Sequence, residues 1–467
     1  MRETIATGSD GGPVALAAAR LEALADALDG DLLSAEHPEY DATRRVWNGM
    51  FDRRPAFIVR CQTEADVVRA VQFAREHGLL LSVRGGGHSL PGYSVCDGGI
   101  MVDLSPMKGV QVDAAQRVAW AGPGLVWREL DAATQAHRLA VTGGQISHTG
   151  VAGLTLGGGM GWLMRRHGLT SDSLLGARLV TAEGEAITVD DEYGDLLWGL
   201  RGGGGNFGIV TAFRFGLHRV GPQVVGGLMA FPFAETRQVL RAFREFADAA
   251  PDELTCTVAF LTTPEGQKAL GIGVCYAGDL AQGERTVAPL RGMGTLVMDQ
   301  VGTVPYTAVQ SMLDEAMPHG SRYYVKAGML AGLEDGVIEA CAHQFARVPS
   351  PLTQVLLVQM GGAVSRRRAD DTAFAHRQAA YNFVALSQWR HPGEDRANIE
   401  WTRAFHDALG SYWAEGVYVN DLMEEGRERV HEAYGAAYDR LAALKARYDP
   451  TNFFCLNQNI RPLTAEE

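Results

Sequence analysis

Leu79-Leu80-Leu81-Ser82-Val83-Arg84-Gly85-Gly86-Gly87-His88-Ser89 is the stretch on which the architecture turns. Leu79 to Val83 is a short apolar run of the length of a buried strand. It enters a glycine triplet with nothing between. Glycine tolerates positive φ and lets another group come close to the backbone. A strand that ends this way exposes successive amides and no side chains, a cradle suited to a pyrophosphate. The same triplet also suits a tight surface turn. No Gly-Lys-Ser/Thr follows, so the loop is not a P-loop. No GxGxxG opens a helix here, so a Rossmann site has no support.

Upstream, Thr63-Glu64-Ala65-Asp66 opens an amphipathic helix with Val67, Val68, Val71 and Phe73 on one side. Thr63 is its cap and Gly78 its stop. Downstream, Ile100–Leu104, Val110–Val112 and Val118–Ala121 read as strands. Ala177–Val189 reads as a hairpin around Glu183-Gly184, and Ile209–Leu217 alternates as a strand does. Two more glycine clusters fall in this half. One is Ser147-His148-Thr149-Gly150-Val151-Ala152-Gly153 with Leu156-Gly157-Gly158-Gly159-Met160-Gly161-Trp162. The other is Arg201 to Val210. The first has the small hydroxyls and bare backbone that a flat heterocycle needs. It equally suits a glycine-rich packing site.

The texture changes near Gly221. Strand-like runs at 224–231, 254–261, 270–276 and 355–360 alternate with helical ones at 234–248, 280–291, 335–347 and 395–410. Layered α+β or α/β structure follows. A long helix is expected over 427–447, stopped by Asp449-Pro450.

The whole chain has 467 residues, enough for two domains. Its net charge of −13 disfavours nucleic acid and anionic membranes. No apolar run reaches the length of a membrane span. The start, Met1 to Pro13, lacks the pattern of a secretory signal and reads as a loose tail. Six cysteines without CxxC spacing argue against a metal site or a disulfide framework. A cytoplasmic location fits these features. The 56 glycines are about 12% of the chain, against a usual ~7%.

Taken in order, Arg-Gly-Gly-Gly-His-Ser at 84–89, Gly-Val-Ala-Gly at 150–153 with its second glycine run, Arg-Gly-Gly-Gly-Gly-Asn-Phe-Gly at 201–208 and Tyr-Asp-Pro-Thr-Asn at 448–452 with Asn457-Gln458-Asn459-Ile460 resemble one family. It is the berberine-bridge-enzyme-like FAD-linked oxidases, of the vanillyl-alcohol-oxidase superfamily. The likeness spans roughly residues 40–462. It implies an α+β fold with a two-part FAD-binding domain of PCMH type. Residues 1–220 and 426–467 would form that domain. Residues 221–425 would form a substrate domain with a large antiparallel sheet backed by helices.

The resemblance also implies chemistry. His88 would bond covalently to the flavin 8α-methyl carbon. Further flavin contacts would come from Arg84, Gly85, Gly86, Gly87, Ser89, Gly143, Ser147, Thr149, Gly150, Gly153, Gly158, Gly161, Trp162, Ile209, Val210, Asn420 and Asn457. Bicovalent members carry a second link through a cysteine, and that slot is Ile146 here. One link is therefore expected, and no metal. The Ser-His-Thr-Gly version is similar to a bacterial secondary-metabolism branch that includes a favorskiase-type flavin-N5-oxide oxygenase. There, a threonine matching Thr149 lies where O2 approaches; a plain hydrogen-bonding role is the alternative. Tyr418 of Tyr418-Val419-Asn420 resembles a family tyrosine. It would act as a base if its phenol pKa is lowered, or else be a buried strand-end tyrosine.

The expectation is hydride transfer from a small organic substrate to flavin N5, with reoxidation by O2. A monooxygenase or dual oxidase on a polyketide-like or aromatic substrate is the close alternative. A redox-inactive flavin-binding protein and a nicotinamide-dependent reductase are rivals from other classes, the latter lacking a dinucleotide site. Gln354, Gln359 and Tyr381 fall in expected strands but cannot be oriented from sequence. The choice between monomer and homodimer is open at this level.

Overall fold

Glu64–Glu76 is helical, and Thr63 caps it. Thr63 Oγ1 accepts from the Asp66 amide at 3.3 Å, while the Asp66 carboxylate takes the Thr63 amide at 3.1 Å. The buried face of this helix (Val67, Ala70, Val71, Ala74) packs on a four-stranded sheet. The computed structural model describes residues 3–463. In it this sheet runs Asp31–Ser34, Phe57–Arg60, Ile100–Asp103, Leu81–Arg84. The first pair is antiparallel and the others parallel. Leu81–Arg84 is thus an edge strand, free to release its chain into Gly85.

A second sheet is antiparallel throughout, in the order Ala186–Val189, Leu174–Val180, Ile209–Gly216, Val118–Ala121, Val110–Asp113. The hairpin expected at 177–189 is its edge. Phe213 and Phe215 anchor its core.

Past Gly221 the chain enters the large sheet. Its strands run Met298–Asp299, Gln223–Pro232, Lys268–Tyr276, Leu254–Thr262, Gln354–Gln359, Tyr381–Trp389, Arg322–Leu330, with Gly302–Pro305 also on Gln223–Pro232. Every pairing is antiparallel, so the layer is α+β. Helices Thr236–Asp248, Asp335–Phe345 and Asp395–Ala408 cover one face. Strand alternation sends Phe383 and Ala385 to that helical core. It turns Asn382, Val384 and Leu386 to the opposite face, towards the first half of the molecule.

Three expectations change. The N-terminal stretch is no loose tail, because Thr4–Thr7 pairs with Pro13–Leu16. Asp10 Oδ1 accepts from the Gly12 amide at 2.8 Å and closes the turn, a signal already present in Ser9-Asp10-Gly11-Gly12. Met1 and Arg2 lie outside the described residues. The helix over 280–291 is α-helical only from Leu280 to Val287 and tightens to a 3₁₀ turn, because Pro289 has no amide to continue the ladder. The long C-terminal helix is two, Arg427–Tyr434 and Tyr438–Tyr448, parted at Gly435 with φ +48°. His376 Nε2 meets the Glu432 and Ala433 carbonyls there, at 2.9 and 3.0 Å, in place of the next helical turn.

Candidate active site

One cavity of about 420 Å³ runs between the two glycine-rich sheets and the bare face of the large sheet. Its first wall is the loop after Leu81–Arg84. Here the backbone amides from Gly85 to Ser89 have no hydrogen-bond partner among the described residues. Buried amides are almost always paired, so a run of five facing a cavity is a cradle for an anion. Gly86 lies on Gly150: a Cβ on Gly86 would stand 2.4 Å from the Gly150 Cα. No side chain larger than hydrogen fits between these two loops. Gly153, Gly204, Gly205, Gly208, Ile209 and Val210 continue the wall, and Phe454, Leu456, Asn457 and Gln458 close it. Asn457 Nδ2 ties the C-terminal segment to the Gly205 carbonyl at 3.1 Å. Buried Lys445 holds it further, donating to Asp449, Asn206 O and Phe454 O at 2.6–2.9 Å.

Of the residues singled out from sequence, Gly85, Gly86, Gly87, His88, Ser89, Thr149, Gly150, Gly153, Ile209, Val210, Tyr418, Asn420 and Asn457 meet at the cavity. Arg84, Gly143, Ser147, Gly158, Gly161 and Trp162 do not line it, and stand behind its wall. The Arg84 guanidinium meets the Thr43 carbonyl and stands 3.9 Å from Asp103. Gly161 crosses Gly143 so closely that a Cβ would fall 1.6 Å from the Gly143 carbonyl oxygen. Gly158 backs onto Phe374 and Tyr418. Trp162 is in the core, against Leu163, Val220 and Tyr306. Ser147 donates from its amide and hydroxyl to Asp314, at 2.8 and 2.5 Å.

His88 lies at one end of the cavity. Its ring is stacked on Trp47, centroids 5.0 Å apart, and Trp47 is stacked in turn on Tyr323 at 3.7 Å. His88 Nε2 is 2.8 Å from His148 Nδ1. His319, from the other half of the molecule, closes the group edge-on at 5.4 Å. Burial, with His148 and His319 adding to it, holds His88 well below the usual imidazole range. Burial pushes His319 down to about 4. His148 is lowered by burial, but Asp314 nearby works the other way. All three rings are therefore neutral at neutral pH. His148 stood within a quoted motif without a role, and nothing local marked His319. Only the tertiary structure joins them to His88.

The other end holds Tyr418. Its hydroxyl accepts from the Gly159 amide at 2.9 Å and from Asn420 Nδ2 at 2.8 Å. Burial pushes this phenol up, with Asp421 adding to the effect. The expected lowered pKa is not found. The two accepted bonds leave the Tyr418 O–H free to donate into the cavity. Gln359 and Tyr381 point away from the cavity; Gln359 Nε2 donates to the Ala247 carbonyl at 3.0 Å and Tyr381 joins the helical core. Gln354 is buried outside the lining. Asn382 and Asp421, overlooked in the sequence, do line it.

The arrangement fits FAD. The amide cradle suits a pyrophosphate. Asp421 is the one acid among the lining residues, so no carboxylate opposes phosphate along the glycine loops. Comparison with known proteins agrees. Residues 55–190 match the family described as FAD binding domain, and residues 417–461 that described as berberine and berberine like. A FAD-linked oxidoreductase of Dictyostelium discoideum is 33% identical over 444 residues, 94% of this chain and 96% of the relative. The (R)-6-hydroxynicotine oxidase of Paenarthrobacter nicotinovorans is 32% identical over 454 residues, 93% and 97% of the two chains. The crystal structure of 6-hydroxy-D-nicotine oxidase from Arthrobacter nicotinovorans superposes with a TM-score of 0.87 at 30% identity, covering 93% of this chain and 98% of that one. The chain belongs to the berberine-bridge-enzyme-like, PCMH-type FAD-linked oxidoreductases. It is an FAD-binding enzyme of that family, and among the described residues no helix is long and apolar enough to cross a membrane.

Proposed function

We propose that this chain is an oxidase that holds FAD by a single bond from His88 to the flavin 8α carbon and oxidises a small organic substrate, with O2 as final acceptor. Residues 1–220 and 426–467 carry the flavin in this reading, and 221–425 supply the substrate face. When bound, the flavin takes hydride from a C–H bond next to a heteroatom.

The observation that carries the reading is the neutral, hydrogen-bonded imidazole of His88 at the end of a cavity that starts with five free amides. In this reading the proton shared by the two rings sits on His88 Nε2 and points at His148 Nδ1, 2.8 Å away. That leaves Nδ1 of His88 as the nitrogen with a free lone pair, the nucleophile a covalent link requires. The link would replace one 8α C–H bond, with two protons released and the electron pair passing through the flavin to O2, and His148 would be placed to take the Nε2 proton. The carboxylate of Asp314 supports the charge gained there. Ile146 lines the cavity and none of the six cysteines does, which supports one link and not two. Tyr418 orients the substrate through its free O–H.

An oxygenase outcome is a second reading. Thr149 lines the cavity and its hydroxyl has no hydrogen-bond partner among the described residues, so it is available to O2. Label from ¹⁸O2 in the product would select this reading, and peroxide release without label the first. The covalent link is tested by intact mass of the acid-denatured protein. The wild type should carry one FAD and His88→Ala none. Wild-type protein at apo mass, despite ample FAD, would remove the role of His88.

A further inference from the structure

The substrate side of the cavity is formed by one face of the large sheet. Val325, Leu356, Val358, Val384 and Leu386 make that wall apolar. Asn382 interrupts it. The side chain is 2% exposed, its Nδ2 donates to Asp421 Oδ2 at 2.7 Å, and its Oδ1 is buried with no partner. Asp421 comes from the 3₁₀ turn Val419–Asp421, next to Tyr418, and meets Asn382 across the cavity wall. The cations that reach this segment, Lys326 and Arg429, pair with Glu425 instead.

The pair is incomplete as it stands. A half-buried carboxylate without a cation and a buried carbonyl oxygen without a donor are both unfavourable, and each is relieved by the same kind of guest. Both free positions accept hydrogen bonds. A guest that brings only acceptors would be repelled, and a hydrocarbon would leave both groups unpaired.

We propose that Asp421 and the free Oδ1 of Asn382 form the recognition pole of the substrate site, and that the substrate is an amine with an apolar body, its charged N–H group held between them. This rests on the reading that the same cavity holds flavin beside the substrate. The apolar body lies along the valine and leucine wall. The cation neutralises the one acid in the cavity lining and supplies the donors that Asn382 lacks. Burial pushes Asp421 up to about 6, with the Asn382 bond opposing it, and Tyr418 is the other titratable group against it. At pH 8 the carboxylate is ionised and ready for a cation.

The test uses holoenzyme and two isosteric probes, benzylamine and benzyl alcohol. Binding is followed through the flavin absorbance, without O2, at pH 8. Benzylamine should bind about tenfold more tightly than benzyl alcohol, as charge-assisted bonds to a half-buried carboxylate predict. Asp421→Asn should erase that preference and leave the affinity for the alcohol nearly unchanged. Asn382→Leu should weaken the amine with Asp421 still present. Flavin content and melting temperature of each variant show whether it is folded and loaded.

Equal affinity for both probes, no binding of the amine at millimolar concentration, or an unchanged preference in Asp421→Asn would each overturn the assignment. So would loss of FAD from a folded Asp421→Asn, since the carboxylate would then serve the flavin. Wild-type protein purified without any flavin is a separate failure, which removes the oxidase reading itself.

Discussion

At the scale of single residues, His88 and His148 divide the work of one reaction. His88→Ala should lose the covalent flavin yet still bind FAD without a bond, because the amides at 85–89 do not depend on the imidazole. A yellow protein that releases its flavin on acid precipitation is the expected result. His148→Phe keeps a ring in the cluster and removes the proton acceptor at 2.8 Å. Covalent attachment, followed by mass after FAD is added, should slow roughly 10²-fold, the usual worth of a placed general base. His88 could be picked out from sequence through its motif. His148 could not, because nothing in Ser-His-Thr-Gly says which ring its histidine meets. Asp421 and Asn382 were missed for a related reason: they stand 39 positions apart in the chain, and only their 2.7 Å contact gives either a meaning.

At the scale of elements, the glycine loops are set by backbone contact. Gly86→Ala would place a methyl carbon 2.4 Å from the Gly150 Cα and 2.6 Å from its nitrogen, with no flexible side chain to yield. The two loops must part, at a cost of about 1–3 kcal/mol. Both a lower melting temperature and weaker FAD retention are expected, the second because the cradle opens. Thr63→Ala tests a simpler device. Removing its side of the capping box should cost about 1 kcal/mol with no effect on flavin, read from chemical denaturation beside flavin content. Elements of this kind were readable in advance. The cap, the strands around 81, 100, 118 and 209, and the hairpin at 177–189 rest on local patterns. The breaks at Pro289 and Gly435 were also in the sequence, as residues that cannot continue a helix. Strand Arg322–Leu330 was overlooked although its pattern is local, with buried Tyr323, Val325 and Ala327 alternating with half-buried Arg322, Tyr324 and Lys326.

At the scale of the molecule, the two halves are joined by polar contacts that surround the site. Trp47 Nε1 donates to the Met317 carbonyl at 3.0 Å, Ser147 binds Asp314, and Gln310 Nε2 donates to Asp131 at 2.9 Å. Burial pushes Asp131 up to about 7, with the Gln310 bond opposing it. An unfolded aspartate titrates near ~3.9. The folded state therefore binds more protons between about pH 4 and 7, and stability falls as pH rises through that window. Asp131→Asn should remove that slope. Its melting temperature should change less than that of the wild type between pH 5 and 8, and at pH 8 it should be the more stable by roughly 2–4 kcal/mol. A wild-type slope kept intact in the variant would mean that Asp131 is not the group responsible.

The sequence by itself determined what short-range physics can determine. Glycine runs said where the backbone must come close to something, a threonine said where a helix starts, and the order of four motifs said which family and which cofactor. The tertiary structure decided what depends on distance through space. It put His319 beside His88, turned Asn382 and not Gln359 or Tyr381 to the cavity, raised the pKa of Tyr418, and set Arg84 and Ser147 behind the wall. The reason is that a side chain's direction, burial and titration follow from its neighbours, and in this fold those neighbours come from strands and loops tens to hundreds of residues away.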